Sequence, residues 1–417
     1  MPFALYLLGL AVFAQGTSEF MLAGLVPDIA RDLGVSVPTA GTLTSAFAVG
    51  MTVGAPLTAL LGRRRPRRQS LLVFLGVFLA VHVVGALTSD FSVLLATRVL
   101  AALANAGFLA VGLVAATGMV APDAKGRATA VLLGGTTLAC VVGVPAGAAL
   151  GQLLGWRSAF WAVALLSAPA FVAIARSVPR GPADAGGPDR SARTELRALR
   201  RPRLRSVLCL AALVNGATFC TFTYLAPLVT EVCGLGAGWV PAVLALFGAG
   251  AFAGVTAAGR LSDRVAERVP EQPADRPSYR SADRLGDRSA DRPVHGSART
   301  VPTAAGIALL VGWAALALVA GQPVVAVALV PVLGLLAFGV GSVLITRVLY
   351  EAVDAPSLGG AFATAALNVG AALGPVLGGA ALDGGLGPRS PVWVSALMVA
   401  VAGLVGHRAG HRREQLA

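Results

Sequence analysis

Two ionisable side chains, Glu19 and Arg98, lie deep in long apolar runs of the chain. In hydrocarbon an isolated charge at such a position costs at least about 2.5 kcal/mol, so it is paired, protonated or turned to a cavity. Glu19 precedes Pro27 by about eight residues, which places it about 12 Å below that end of its run at 1.5 Å per residue. Arg98 follows Asp90 by the same spacing, on a segment running the other way. The matched depth predicts one shared cavity in which the two groups interact directly or through water. A carboxylate whose proton affinity changes with conformation is what proton coupling requires; a static structural pair is the alternative.

Neutral polar groups surround this pair: Gln15, Thr17 and Ser18 on the first run, Asn105 on the fourth, Asn215, Thr218 and Tyr224 on the seventh and Asn368 on the eleventh. They suit the hydroxyls, amides or carbonyls of an uncharged or zwitterionic solute, and each alone suits an interhelical hydrogen bond as well. Other chemistry has little to stand on. His82, His295, His407 and His411 are scattered, and Cys140, Cys209, Cys220 and Cys233 have no metal-ligand spacing. No Gly-x4-Gly-Lys-Ser/Thr loop is present for a nucleotide. The expectation is no enzyme, no metal and no cofactor, with a proton gradient as the energy source.

The elements that must hold these groups are membrane helices. Charged residues make up 13% of the 417 and hydrophobic residues 56%, against about 25% charged in soluble proteins. The predicted class is an all-α polytopic membrane protein, with twelve spans near 4–26, 38–61, 69–88, 91–119, 128–151, 158–175, 206–230, 238–259, 302–320, 323–349, 358–382 and 391–406. The net charge of +13 reads as topology rather than nucleic-acid binding. With the N-terminus inside, Arg31, Arg157 and Arg389 are the basic residues left outside, and Arg98 lies within a span. That asymmetry puts both termini in the cytoplasm. Trp156, Trp239 and Trp393 fall at outer span ends, as an aromatic belt would place them. Residues 1–176 and 206–417 each hold six spans, joined by an Arg- and Pro-rich linker, 177–205, in which Thr194 to Arg200 has helical potential. Residues 265–300 repeat Ala-Asp-Arg and carry too few apolar groups to fold, which predicts a disordered cytoplasmic loop.

The halves are related. At an offset of 200, Gly16, Leu25, Pro27, Gly34, Gly50, Gly54 and Arg64 match Gly216, Leu225, Pro227, Gly234, Gly250, Gly254 and Arg264. Beyond the polar loop the offset becomes 234, which matches Gly107, Pro122 and Gly126 with Gly341, Pro356 and Gly360. Two six-helix bundles related by an axis along the membrane normal, with a solute cavity between them and alternating access by rocking, follow from such a repeat.

Several strings resemble the twelve-span drug:proton antiporters of the major facilitator superfamily. Gly16-Thr-Ser-Glu19-Phe to Gly24-Leu-Val-Pro27, with Gly54-Ala-Pro56, resembles the first-span signature of the sugar- and drug-efflux branch. Gly143-Val-Pro145-Ala-Gly147 is similar to the antiporter motif of the fifth span, and Gly259-Arg260-Leu261-Ser262-Asp263-Arg264 to the family's gating loop. Arg98 sits where the family has its buried arginine. Ser18 to Leu25, Thr44 to Met51, Ala101 to Leu109 and Gly341 to Tyr350 are similar to the chloramphenicol-resistance exporters of that branch. The resemblance implies the major facilitator fold and export of a neutral drug, chloramphenicol first, by a monomer in the cytoplasmic membrane. In that picture Glu19 carries the proton with Arg98 as partner, Gly143, Pro145 and Gly147 shape a bend, and Asp263 and Arg264 gate. A sugar or other metabolite as cargo, and a scaffold or receptor without transport, are the alternatives. Two departures stand out: Arg63 occupies the register of Asp263 in the first half, and Ala101-Ala102 replaces the family's Gln-Gly.

Overall fold

The protein, a computed structural model, is described over residues 2–61, 66–121, 124–177, 195, 197–267, 297–352, 355 and 358–414. It is built of helices. In chain order these are α1 Phe3–Phe20, α2 Val37–Leu61, α3 Arg67–Leu87, α4 Phe91–Gly118, α5 in two pieces Lys125–Leu138 and Val144–Leu154, and α6 Arg157–Ser177. The second set is α7 Pro202–Thr223, α8 Val240–Glu267, α9 Ser297–Val319, α10 Pro323–Glu351, α11 Gly359–Asp383 and α12 Ser390–Glu414. Among the described residues ten helices are long and apolar enough to cross a membrane. Val37–Ala55 qualifies together with the short helix Val26–Asp32 across a bend of 119°, and the apolar part of α9, Ala304–Val319, is shorter. Outward-facing Leu165, Leu318, Leu397 and Leu404 are each at least 60% exposed, a surface that water would not tolerate and lipid does.

The packing repeats with a shift of six helices. α1 packs on α5 and α6, α2 on α4, and α3 on α4 and α6; likewise α7 packs on α11 and α12, α8 on α10, and α9 on α10 and α12. The glycines of the internal repeat are the reason those pairs approach closely. Gly50 and Gly54 lie against Ala102 and Ala106 of α4, while Gly250 and Gly254 lie on the backbone of Pro331 and Leu335 in α10. Gly16 meets Thr136 and Ala139 of α5; its counterpart Gly216 meets Gly370 of α11. Gly34 and Gly234 turn the chain in the same left-handed conformation, at φ 64° and 67°. Gly107 against Phe74 has no equivalent at Gly341, which has open space around it. Pro122, Pro356 and Arg64 lie outside the described residues, as do most of the linker and of segment 265–300.

Three local expectations need correcting. The first span does not run unbroken to residue 26: α1 ends at Phe20, Met21–Gly24 tightens to a 3-10 turn, and Val26–Asp32 restarts with Pro27 near its N-terminus, where proline is tolerated. The stretch Thr194 to Arg200, of which Thr194 and Leu196 are outside the described residues, does not lie wholly at the surface as expected. It forms one turn, Arg197–Arg200, with Ala198 and Glu195 buried. The Glu195 carboxylate accepts the Leu358 N–H at 2.9 Å at the head of α11, where a negative charge meets the helix dipole.

Trp156, in turn, is no belt residue. It is 3% exposed, and its indole N–H donates to Asp32 at 3.0 Å. Arg157 donates to the same carboxylate and to the Thr88 carbonyl, tying the ends of three hairpins together. The Arg157 and Trp156 hydrogen bonds hold the Asp32 carboxyl below its usual value near 3.8. A depressed carboxylate stabilises the fold above that value and ceases to do so as pH falls through its folded pKa. The purified protein in detergent is therefore expected to lose thermal stability on acidification below about pH 4, and Asp32→Asn to flatten that part of the curve; an unchanged pH dependence of Tm in the variant counts against the clasp.

Candidate functional site

The two bundles touch along two seams, α2 on α11 and α5 on α8. At the first, Tyr224 is 2% exposed, donates its hydroxyl to the Pro375 carbonyl at 2.8 Å, and lies against Gly41 and Gly379. At the second, Gly248 rests on the Cys140 and Val141 backbone, and Gln152 donates to the Ala237 carbonyl at 2.6 Å. Between the seams is a small cleft with free space of about 10 Å³, lined by Phe20, Cys140 and Val144 of the first bundle and by Thr218, Phe219, Phe222, Phe247 and Phe338 of the second; that is room for about one water. Its rings form a continuous chain: Phe20 to Phe219 at 5.8 Å, Phe219 to Phe222 at 6.1 Å, Phe222 to Phe247 at 5.0 Å and Phe247 to Phe338 at 6.1 Å. Aromatic faces with few polar groups bind a flat apolar solute through contact area and ring stacking.

Glu19 precedes Phe20 of this lining and is not itself among the residues that line the cleft. It is partly buried, with Arg98 and Cys140 as electrostatic neighbours, and among the described residues it makes no hydrogen bond and no ion pair. Of the two contacts expected from their matched depth, direct or through water, the direct Glu19–Arg98 pair is not made, and the two act on each other at longer range. Arg98, 1% exposed, is turned to the adjacent residue: it donates to the Ser18 hydroxyl at 2.8 Å and to the Ser18 carbonyl at 2.7 Å, and stacks over the Phe47 ring at 4.6 Å. The physical reason is helical phase. Ser18 and Glu19 are about 100° apart around α1, so the face carrying Ser18 meets His82 of α3 and Arg98 of α4 while Glu19 turns toward Cys140 at the break in α5. Burying the guanidinium among oxygens and a ring face offsets part of its desolvation.

The neutral polar groups divide. Thr218 lines the cavity, although its hydroxyl donates to the Val214 carbonyl at 3.0 Å. Ser18 serves Arg98. Thr17 donates to the Phe13 carbonyl at 2.8 Å, Asn215 to the Leu367 carbonyl at 2.8 Å and Asn368 to the Thr364 carbonyl at 3.0 Å. Tyr224 belongs to the seam. Gln15 is fully buried with both amide atoms unpartnered, and the Asn105 amide reaches the Met51 sulfur at 3.6 Å with its oxygen unpartnered. Gly143 and Pro145 mark a break in α5: Ala139–Gly143 forms a π turn and Pro145 opens the next helical piece. Gly143 makes room for Thr17 there, and Gly147 faces Met21. Asp263 and Arg264 fall on α8, and their side chains are outside the described part of the structure.

Two features of the site were missed in the sequence. The five phenylalanines of the cavity come from four different helices, and only contacts across the bundle interface unite them. His82 was passed over as scattered, yet it is 1% exposed and 2.7 Å from the Ser18 hydroxyl. The depth argument applied to Arg98 would have found it, since His82 lies about as far from the Asp90 end of its own span.

Known proteins place the whole arrangement. The model of the Major Facilitator Superfamily matches residues 8–274. The chain is 55% identical over 408 residues to a chloramphenicol resistance protein of Streptomyces lividans, covering 97% of this chain and 95% of the relative. It is 33% identical over 402 residues to the inner membrane transport protein YdhP of Escherichia coli strain K12, covering 96% and 94%. Its fold matches that of a solved bacterial homolog of the human lysosomal transporter Spinster with a TM-score of 0.68 at 17% identity, over 96% of this chain and 94% of the other. With the long helices of its described residues in two repeated bundles, and with these matches, the chain belongs to the major facilitator superfamily of membrane transporters.

Proposed function

We propose that the protein exports a neutral aromatic drug, chloramphenicol first, in exchange for protons moving inward across the cytoplasmic membrane. The observation that carries this is the near full-length similarity to a chloramphenicol resistance protein. The lining of the cleft suits such a cargo once the bundles part and widen it: Phe219, Phe222 and Phe247 offer ring faces to an aromatic group and Thr218 a hydroxyl to an amide. Glu19 is the proton carrier, partly buried and with no hydrogen bond or ion pair among the described residues, and Arg98 tunes it from behind Ser18. Residues 1–176 and 206–417 are the two bodies that rock as a monomer, with both termini inside, as the basic residues favour. The break at Gly143, Pro145 and Gly147 supports the bending of α5 during exchange, and Asp263 with Arg264 serves the inner gate. No cofactor takes part; the proton gradient supplies the energy.

Expression in a phenicol-sensitive host is expected to raise the inhibitory concentration of chloramphenicol several-fold, and a protonophore to restore accumulation of labelled drug. Phe222→Ala, which opens the ring chain at its centre, lowers that resistance towards the empty-vector level. Unchanged susceptibility to chloramphenicol and its fluorinated relatives, with the protein present in the membrane, removes phenicols as the cargo; a response to a sugar or other metabolite instead identifies the replacement.

A further inference from the structure

His82 has no part in the exchange just described, yet it fixes the Ser18 hydroxyl that holds Arg98. Its Nδ1 faces the Phe78 carbonyl at 2.7 Å and its Nε2 faces Ser18 Oγ at 2.7 Å. A carbonyl only accepts, so in the neutral imidazole Nδ1 carries the proton and Nε2 presents a lone pair. The Ser18 proton therefore goes to His82, which leaves the oxygen lone pairs of Ser18 for Arg98. Every donor in this chain is directed by one backbone carbonyl. The imidazole is itself locked by Phe78 at 4.1 Å and Phe160 at 5.9 Å between ring centres.

Ser18 is the exception among its neighbours. Thr17, Ser167 and Thr218 all donate back to the carbonyl four residues earlier in their own helix, the usual resting place of a helical hydroxyl. Without a lone pair from His82 the Ser18 hydroxyl has the same option at the Ala14 carbonyl, and that rotation takes Oγ off the guanidinium. Arg98 then retains one acceptor on Ser18, the carbonyl, and the carboxylate that acts on it electrostatically is Glu19.

From this we infer that His82 is a positioning residue: through Ser18 it holds Arg98 away from Glu19 and so keeps the carboxyl free to take up and release its proton. The inference rests on Glu19 being the proton carrier, so its test reads the carboxyl directly rather than through transport. Dicyclohexylcarbodiimide adds to a protonated carboxyl in an apolar site and not to an ion-paired carboxylate, and mass spectrometry locates the adduct. The wild type in proteoliposomes is expected to be labelled at Glu19. His82→Phe, which keeps the ring between Phe78 and Phe160 but offers no lone pair, is expected to cut that labelling about fivefold or more, as is Ser18→Ala. The double variant falls no further than either single one, because both remove the same link. His82→Gln, which regains an acceptor and a donor, restores most of the labelling. Labelling of His82→Phe at the wild-type rate, in protein that elutes as a single folded species, overturns the inference, and so does additive loss in the double variant. Failure of the wild type to exchange phenicol for protons, with the labelling pattern as expected, counts against the drug assignment alone.

Discussion

Glu19→Gln is expected to reduce drug-dependent proton release from energised inside-out vesicles to the level of empty-vector membranes, while chloramphenicol counterflow without a gradient persists. The amide has the size and hydrogen-bonding capacity of the protonated acid but no proton to give up. In the structure Glu19 makes no hydrogen bond or ion pair to any described residue, so the substitution breaks no contact that holds α1 in place, and a folded protein is the expected result. Phe20 and the other rings of the cavity keep their positions, which is why binding and passive exchange of a neutral solute survive. Gradient-driven efflux does not, because alternating access then carries drug without a counter-moving charge. The matching control is Arg98→Ala, which leaves Ser18 without its donor and a void under Phe47, and is expected to lower the amount of folded protein as well. Full proton release by Glu19→Gln assigns the coupling to another group. The contrast between the two variants separates a carrier of protons from a support of the fold.

Much of this was legible in the residues because the strongest signals in a membrane protein are one-dimensional. Hydropathy and scarce charges mark the spans, and the register of Gly50 and Gly54 with Gly250 and Gly254 marks the repeat, since close backbone approach tolerates no side chain at those positions. Depth is also readable, and it brought Glu19 and Arg98 to the same level. Azimuth was not. Which way a side chain points around its helix depends on neighbours that the linear order does not list, and 100° per residue is enough to give Arg98 to Ser18 instead of Glu19. The same limit hid the aromatic cavity, whose members Phe20, Phe219, Phe222, Phe247 and Phe338 look like ordinary core residues until helices from two bundles meet. Polar residues in spans were legible as positions and not as partners. Asn215, Asn368 and Thr17 spend donors on helix carbonyls, the commonest outcome where no water is available.

Gly248→Val carries the other large expected effect, because it acts where the bundles meet rather than where cargo binds. A carbon added at Gly248 would meet the Cys140 carbonyl carbon at 2.8 Å and the Val141 Cα at 3.1 Å. Both are backbone, so no rotamer change relieves the contact and α5 must move off α8. Overpacking of this kind costs about 1–3 kcal/mol. Within α8 the neighbouring Gly250 and Gly254 point instead at α10, so the second bundle keeps its own packing and the cost falls on the conformation in which the α5–α8 seam is closed. By the population arithmetic of a two-state equilibrium, about 1.4 kcal/mol displaces the closed seam tenfold, and a transporter that must pass through both states slows accordingly. Efflux is expected to fall about tenfold or more with Tm nearly unchanged. Cys140, which lines the cavity beside that seam, is expected to react faster with a maleimide in the variant, read by mass spectrometry against the buried Cys220 of α7. Gly248→Ala carries the same first carbon and should show the same shift at smaller size. Unaltered efflux together with unaltered Cys140 reactivity would mean that the seam does not open during transport, and that the two bundles exchange access about the α2–α11 contact alone.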